Sequence, residues 1–205
     1  MKKLGQFTLL CVFGLGLVAC APQKQDKSQT NSSSLTAVSD VPAKHQDIRL
    51  TFNNITLGTK DSEFAGGTNF EQLKAMFGEP AQTFQTPAGD VTLDGYTWQF
   101  DEVTITVNLL RDSAITRSIS NFSFIRYNTI TKDKIDKIAD NMTFQQAIDL
   151  LGQPDIYSES ASSEHTKLQA VWVSGIEGAD SKNTPQITLN FVNNQLTNKA
   201  IVGVN

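Results

Sequence analysis

The stretch FEQLKAMFGEP at residues 70–80 recurs in altered form as FQQAIDLLGQP at residues 144–154. In both copies the large apolar residues stand three or four positions apart, which places them on one face of a helix. Asn69 and Thr143 precede the copies, each with Gln three positions later, as a capping box requires. Each copy ends in Gly and Pro, which stop a helix. The sequence therefore predicts two short amphipathic helices.

The residues that follow each helix alternate between apolar and polar side chains, as in half-buried β-strands. The clearest runs are VTITVNLL at 103–110 and QITLNFV at 186–192. Trp98 and Trp172 lie just before these runs, 74 residues apart. Because both occupy the same place in a repeated pattern, we interpret the two tryptophans as core residues rather than as exposed binding residues.

Shorter elements are predicted around these runs. Strands are expected near 81–87 and 155–161, directly after the two helices. The segment TKDKIDKIADN at 131–141 has apolar residues at helical spacing. Its counterpart at 46–58 stays open between helix and strand, because the repeat favours a helix whereas its Thr, Phe, Asn and Ile residues favour a strand.

The repeated order of elements predicts an α+β fold of two tandem helix-helix-antiparallel-sheet repeats, at 46–128 and 129–205. Helices would cover one face of each sheet and leave the other face open, as antiparallel sheets allow. Polar residues of the alternating runs fall on that open face and are the candidate partner-binding residues. They are Thr106, Asn108, Thr188 and Asn190.

Residues 1–19 have the pattern of a signal peptide, with Lys2 and Lys3 followed by an apolar run that is short for a membrane span. The run ends in LVAC, which resembles the lipobox of bacterial lipoproteins. That resemblance implies cleavage after Ala19 and attachment of lipid to Cys20, which would hold the protein on the extracytoplasmic side of the cell membrane. The alternative is an ordinary secretory signal in which this cysteine occurs by chance.

Residues 20–45 are rich in Gln, Ser, Asn, Lys and Asp and poor in large apolar side chains. Such a segment buries too little surface to offset the entropy lost on ordering, so we interpret it as a disordered tether. Cys11 lies in the signal peptide and Cys20 would carry the lipid. The folded region therefore has no thiol for a disulfide, a nucleophile or a metal site.

Composition and spacing argue against several kinds of chemistry. The net charge of −4 argues against nucleic acid as a partner. His45 and His165 stand in polar segments without ligand spacing around them, so we predict no metal site and no cofactor. Asp101 and Glu102 are adjacent, and a hairpin turn accounts for them better than shared acid–base work. Because the sequence also has no nucleophile motif, we predict that the protein is not an enzyme.

The segment IADNMTFQQAIDLLGQP at residues 138–154 resembles the I-x-x-G-M-T…L-L-G-x-P pattern of bacterial lipoproteins of the SmpA/OmlA type. Asn141 stands where that pattern has Gly, and Asn also adopts left-handed backbone angles. The duplication and the tryptophan-bearing strands resemble the β-lactamase-inhibitor-protein-like (BLIP-like) fold. Gram-positive lipoproteins with tandem BLIP-like repeats share both sets of features, and the chain resembles these most.

The resemblance implies a sheet surface that grips another protein. We therefore expect a membrane-anchored, non-enzymatic module that binds an extracytoplasmic protein, with an inhibitor-like role among the options. The alternative, from the SmpA/OmlA side of the resemblance, is an accessory factor for the assembly or stability of the cell envelope.

Overall fold

The structure is a computed structural model that describes residues 42–178 and 184–204. At its centre lies one antiparallel sheet of eight strands. The strands lie side by side in chain order, so each pairs with the strand that precedes it in the sequence. Their bounds are β1 (Gln82–Ala88), β2 (Val91–Phe100), β3 (Val103–Leu110), β4 (Ser113–Ser120), β5 (Ile156–Ala161), β6 (Thr166–Trp172), β7 (Gln186–Val192) and β8 (Gln195–Val202).

The helices of the described residues are short, with five to eight residues each. They are α1 (Gln46–Phe52), α2 (Phe70–Phe77), α3 (Lys132–Asp136) and α4 (Phe144–Leu151), and a 3₁₀ turn spans Lys60–Ser62. We call the chain up to β4 the first half and the chain from α3 onward the second half. None of these helices has the length and apolar character needed to cross a membrane.

The predicted α+β fold of two tandem repeats is wrong. The described residues are 41% strand and 20% helix, so the fold is mainly β. Strand β4 pairs with β5, from Thr116 opposite Ser160 to Ile119 opposite Tyr157, and this pairing joins the strands of both halves into one sheet. Two separate sheets would have four edge strands and the joined sheet has two, which leaves fewer unpaired backbone groups open to association.

Several shorter predictions are confirmed. Strands β1 and β5 follow helices α2 and α4 directly, and α3 lies within the predicted helical segment at 131–141. The segment at 46–58 begins as helix α1, which settles the open choice in favour of a helix. The proposed boundary at residue 128 stays a prediction. Residues 1–41, which include Cys20 and most of the predicted tether, lie outside the described part of the chain.

The two amphipathic helices begin as the sequence predicts. The Asn69 side chain accepts a hydrogen bond from Gln72 N at 2.9 Å, and the Thr143 hydroxyl accepts one from Gln146 N at 3.2 Å. Each helix ends at a glycine with a positive φ, of 81° and 83°, a conformation that other residues adopt with strain. The caps therefore define where both helices begin and end.

Each tryptophan joins a strand to the end of the preceding amphipathic helix. Trp98 Nε1 donates to Gly78 O at 2.8 Å, and Trp172 Nε1 donates to Gly152 O at 3.0 Å. The two side chains are 1% and 0% exposed, so their assignment to the core is confirmed. The pairing satisfies the indole N–H while burying the large ring, which is how tryptophan is tolerated in a core.

Candidate binding face

The helices cover one face of the sheet. Phe70 of α2 stacks on Tyr96 of β2, with ring centroids 4.4 Å apart. Phe144 of α4 stacks on Tyr157 of β5 in the same way, at 5.3 Å. We call the face that these tyrosines share the helix side. The residues that alternate with them point the other way, and we call that second face the open face.

Eight directly paired residues, one from each strand, form a row across the open face. We call them the central row: Gln82, Thr97, Thr106, Ser118, Ser158, Gln169, Asn190 and Asn198. Every one carries an amide or a hydroxyl, and none carries a charge. Thr97 Oγ1 and Thr106 Oγ1 share a hydrogen bond of 3.2 Å, and Gln169 Nε2 donates to Asn190 Oδ1 at 2.9 Å. The row is thus a continuous line of hydrogen-bonding side chains.

Charged side chains are rare on the open face. The eight described strands contain five charged residues, and the pairing register places four of them on the helix side. Those four are Asp94, Arg117, Glu159 and Lys199, whereas Lys167 lies on the open face. Charged residues make up 19% of the whole chain, and exposed sheet surfaces usually carry them to prevent association. Depletion of charge is typical of the centre of a protein interface.

A shallow depression of about 300 Å³ lies in the open face over strands β4 to β7. Ser118 and Ser158 belong to its lining and lie opposite each other where β4 meets β5. Other polar lining side chains of this face are Thr116, Ser160, Lys167, Gln169 and Asn190. Because the paired serines are small, the surface is low at the junction of the two halves and has room for a protruding group.

The four residues predicted for partner binding all lie on this face and are half-buried. Thr106 and Asn190 belong to the central row, and Asn108 and Thr188 occupy the rows beside it. Asn108 Nδ2 donates to Thr116 Oγ1 at 2.7 Å, which orders its amide. The two pairs lie four strand spacings apart, about 19 Å, because β4, β5 and β6 lie between them. Their role in binding stays a prediction.

Sequence reasoning missed the residues that connect these two pairs. Ser118, Ser158 and Gln169 complete the central row between β3 and β7. Strands β5 and β6 read IYSESA and TKLQAVW, without a regular alternation of apolar and polar side chains, so the sequence signal for the open face was weak in them. What a single strand could not show was the register that aligns all three, since register depends on long-range pairing.

The chain matches one family model over residues 44–204, described as a domain of unknown function with a solved structure, DUF3862. That range includes all eight strands and the whole central row. The chain belongs to the DUF3862 family.

A crystal structure of a Streptococcus mutans protein, named "putative beta-lactamase inhibitor protein", is similar to this DUF3862 chain. The sequence identity is 40% and the TM-score is 0.75, and the match covers 80% of this chain and 99% of that one. The predicted resemblance to BLIP-like proteins is thus supported at the level of the relative's name. A comparison with curated proteins gives no match.

The remaining polar candidates of the DUF3862 domain are held by ordinary contacts. His45 directly precedes α1, and its Nε2 lies 2.6 Å from Asp101 Oδ2. Its side chain is partly buried at that contact. Asp101 and Glu102 form the β2–β3 turn, as predicted, and His165 lies in the exposed turn before β6. Within residues 42–178 and 184–204, no group of three or more His, Cys, Asp or Glu side chains is arranged to hold a metal ion.

Proposed function

We propose that this DUF3862 protein is a non-enzymatic protein-binding module that contacts an extracytoplasmic partner through the open face. The observation that carries the proposal is the central row, together with the near absence of charge around it. Amides and hydroxyls can both donate and accept hydrogen bonds, so the row can match a polar protein surface. Side chains on paired strands are already ordered, which lowers the entropy lost on binding.

The depression gives this surface a specific shape. A protruding loop of the partner would enter over Ser118 and Ser158, where the surface is low. Lys167 lines the same depression and is the positively charged residue of the described strands on the open face. Its charge favours a partner loop that carries a carbonyl or a carboxylate. The name of the Streptococcus mutans relative supports an inhibitor-like role, in which the partner is an enzyme such as a β-lactamase.

The proposal includes membrane anchoring through Cys20, on the extracytoplasmic side of the cell membrane. Its support is the LVAC sequence that follows the charged start and the apolar run. Labelling cells with an alkyne-bearing fatty acid tests it, because Cys20→Ser should remove both the label and the membrane association. Label on the Cys20→Ser variant, or none on the parent protein, would contradict the anchor.

The binding proposal is tested by placing a photo-crosslinking amino acid at Ser158 in the anchored protein in cells. The matched control is Gln145, which is exposed on α4 and lies on the helix side. We expect an adduct with one extracytoplasmic protein from position 158 and none from position 145. Equal adducts from both positions, or none from position 158, would argue for the alternative role in envelope assembly or stability.

The inhibitor-like role has its own experiment. Residues 42–205 are titrated into purified β-lactamases and other secreted hydrolases, with initial rate as the readout. The match to the Streptococcus mutans structure covers 80% of this chain and 99% of that chain. A region of this length is therefore sufficient for a folded structure in that relative. An unchanged rate at micromolar concentrations would remove the inhibitor-like role and leave the crosslinking result to identify the partner.

A further inference from the structure

A second candidate site lies on the helix side, in a cleft of about 200 Å³ between α1, α4 and the β4–β5 junction. Its lining includes two arginines: Arg49 from α1 and Arg117 from β4. The other lining residues are Asn53, Phe144, Ile148, Gln153 and Tyr157. The cleft is separate from the open face, so it lies beyond the function proposed above.

One of the two arginines is fully neutralised. Arg117 donates to Glu159 Oε2 from Nε at 3.0 Å and from Nη2 at 2.7 Å. Its Nη2 also donates to the Tyr157 hydroxyl at 2.9 Å, and its Nη1 donates to Ile55 O at 2.5 Å. Tyr157 in turn donates its proton to Glu159 Oε2 at 2.6 Å. The charge of Arg117 is therefore paired with Glu159, and all three of its guanidinium nitrogens donate hydrogen bonds.

A third arginine nearby is also paired. Arg126 lies 3.3 Å from Asp155 Oδ1 and donates to Gln153 O. Asp155 is fully buried and also accepts hydrogen bonds from the backbone N–H groups of Phe124 and Val173. The two carboxylates of this cluster, Asp155 and Glu159, are therefore engaged with Arg126 and Arg117.

Arg49 is different, because no carboxylate of the described residues lies within ion-pair distance of it. Its guanidinium donates to Asn53 Oδ1 at 2.6 Å and to Pro154 O at 2.8 Å, and its Nε has no partner among the described groups. The residue is only 1% exposed. Burial is the main cause that lowers the pKa of Arg49 to about 10, because the desolvated guanidinium is poorly compensated.

We propose that this cleft binds a carboxylate, with Arg49 as its principal contact. The cluster contains three arginines and two carboxylates, so it has one excess positive charge. A bound monoanion would cancel that charge. A planar carboxylate matches the fork of N–H donors on a guanidinium. A phosphate dianion would exceed the surplus charge and meet Glu159 and Asp155 nearby, so carboxylate is the favoured class.

The experiment measures the thermal stability of residues 42–205 in sodium acetate and in sodium chloride of equal ionic strength. Acetate should raise Tm by about 3–5 °C once its concentration exceeds the Kd tenfold, whereas chloride should not. Arg49→Gln should lose the response to acetate. Arg111→Gln is the matched control, since Arg111 lies in the exposed β3–β4 turn, and it should keep the response.

A second variant covers the case in which Arg49→Gln does not fold. Ile148→Phe leaves Arg49 in place and fills the cleft from a half-buried position on α4, so it should also lose the response to acetate. The proposal is overturned if acetate acts no differently from chloride on the parent protein. It is also overturned if either cleft variant keeps the full response, or if phosphate stabilises more than acetate at equal concentration.

A further arm identifies the source of the carboxylate. A blocked glutamate, with its amino and α-carboxyl groups capped, replaces acetate in the same measurement. A Tm rise with both compounds supports an acidic side chain of a protein as the occupant, and a rise with acetate alone supports a small free acid. Because the cleft lies on the helix side, failure of binding at the open face would leave these results unaffected.

Discussion

Ser118 and Ser158 lie directly opposite each other on the open face, at the junction where strand β4 pairs with β5. This pair joins the two halves of the protein in one sheet, and it lies in the middle of the central row. The same two small side chains help to line the depression of about 300 Å³. The position that unites the halves is therefore also a low point of the open face.

The first prediction concerns the depression. Ser158→Arg places a long charged side chain in it and should weaken binding of the crosslinked partner at least about tenfold, or about 1.4 kcal/mol. The reason is steric, since the long side chain fills the depression that the partner loop would enter. Titration calorimetry checks the affinity, with Gln145→Arg on exposed α4 as the control. Unaltered affinity for Ser158→Arg would exclude the depression from the interface.

The second prediction concerns Asp155, which holds the segment after β4 to the second half. Its carboxylate pairs with Arg126 at 3.3 Å and accepts hydrogen bonds from Phe124 N and Ser174 N. Asp155→Asn should lower the free energy of unfolding by roughly 3–5 kcal/mol, because it leaves the Arg126 charge buried without its partner. Urea unfolding measures the change, and Asp94→Asn, at an exposed site, should cost far less.

The third prediction concerns alkaline pH. Burial raises the pKa of Tyr157 above its ordinary value of about 10, so the folded protein keeps the phenol protonated where the unfolded chain loses the proton. The stabilising contribution is complete below about pH 10 and declines as the pH rises beyond it. Urea unfolding between pH 9 and pH 11 should show this decline. Tyr157→Phe should reduce its slope, and Tyr127→Phe, at an exposed residue, should not.

The fourth prediction compares the two tryptophans. Trp98→Phe and Trp172→Phe should each lower the free energy of unfolding by roughly 2–4 kcal/mol, since each change shrinks a buried ring and leaves a glycine carbonyl without its donor. Thermal and urea unfolding should give similar values for the two variants. A cost below 1 kcal/mol at one position only would show that the two indoles do not have equivalent roles.

Much of the local structure follows from the sequence, and the assembly of the sheet does not. The caps at Asn69 and Thr143 and the alternation in β3 and β7 are local signals, and the corresponding helices and strands form where they predict. The pairing of β4 with β5 is a contact between halves, and no short pattern specifies which edge meets which. This is why the fold class was predicted as α+β with two sheets.

The arginine cluster was equally hidden from sequence reasoning. Arg49 lies far from Arg117 and Arg126 in the chain, and each alone reads as an ordinary surface charge. Only the packing of α1 against the β4–β5 junction brings Arg49 close to Arg117, with Tyr157 beside both. Helix α1 places Arg49 and Phe52 on one buried face, and burial of the Phe52 ring favours the helix at the start of the segment at 46–58.

The most direct test of the central claim follows the side-chain amide resonances of the central row by NMR while the unlabelled partner is added. Gln169, Asn190 and Asn198 report on the open face, and Gln145 on α4 reports on the helix side. Binding at the open face predicts large shifts or broadening for the first three and little change for Gln145. Changes at Gln145 with an unaltered central row would contradict the account.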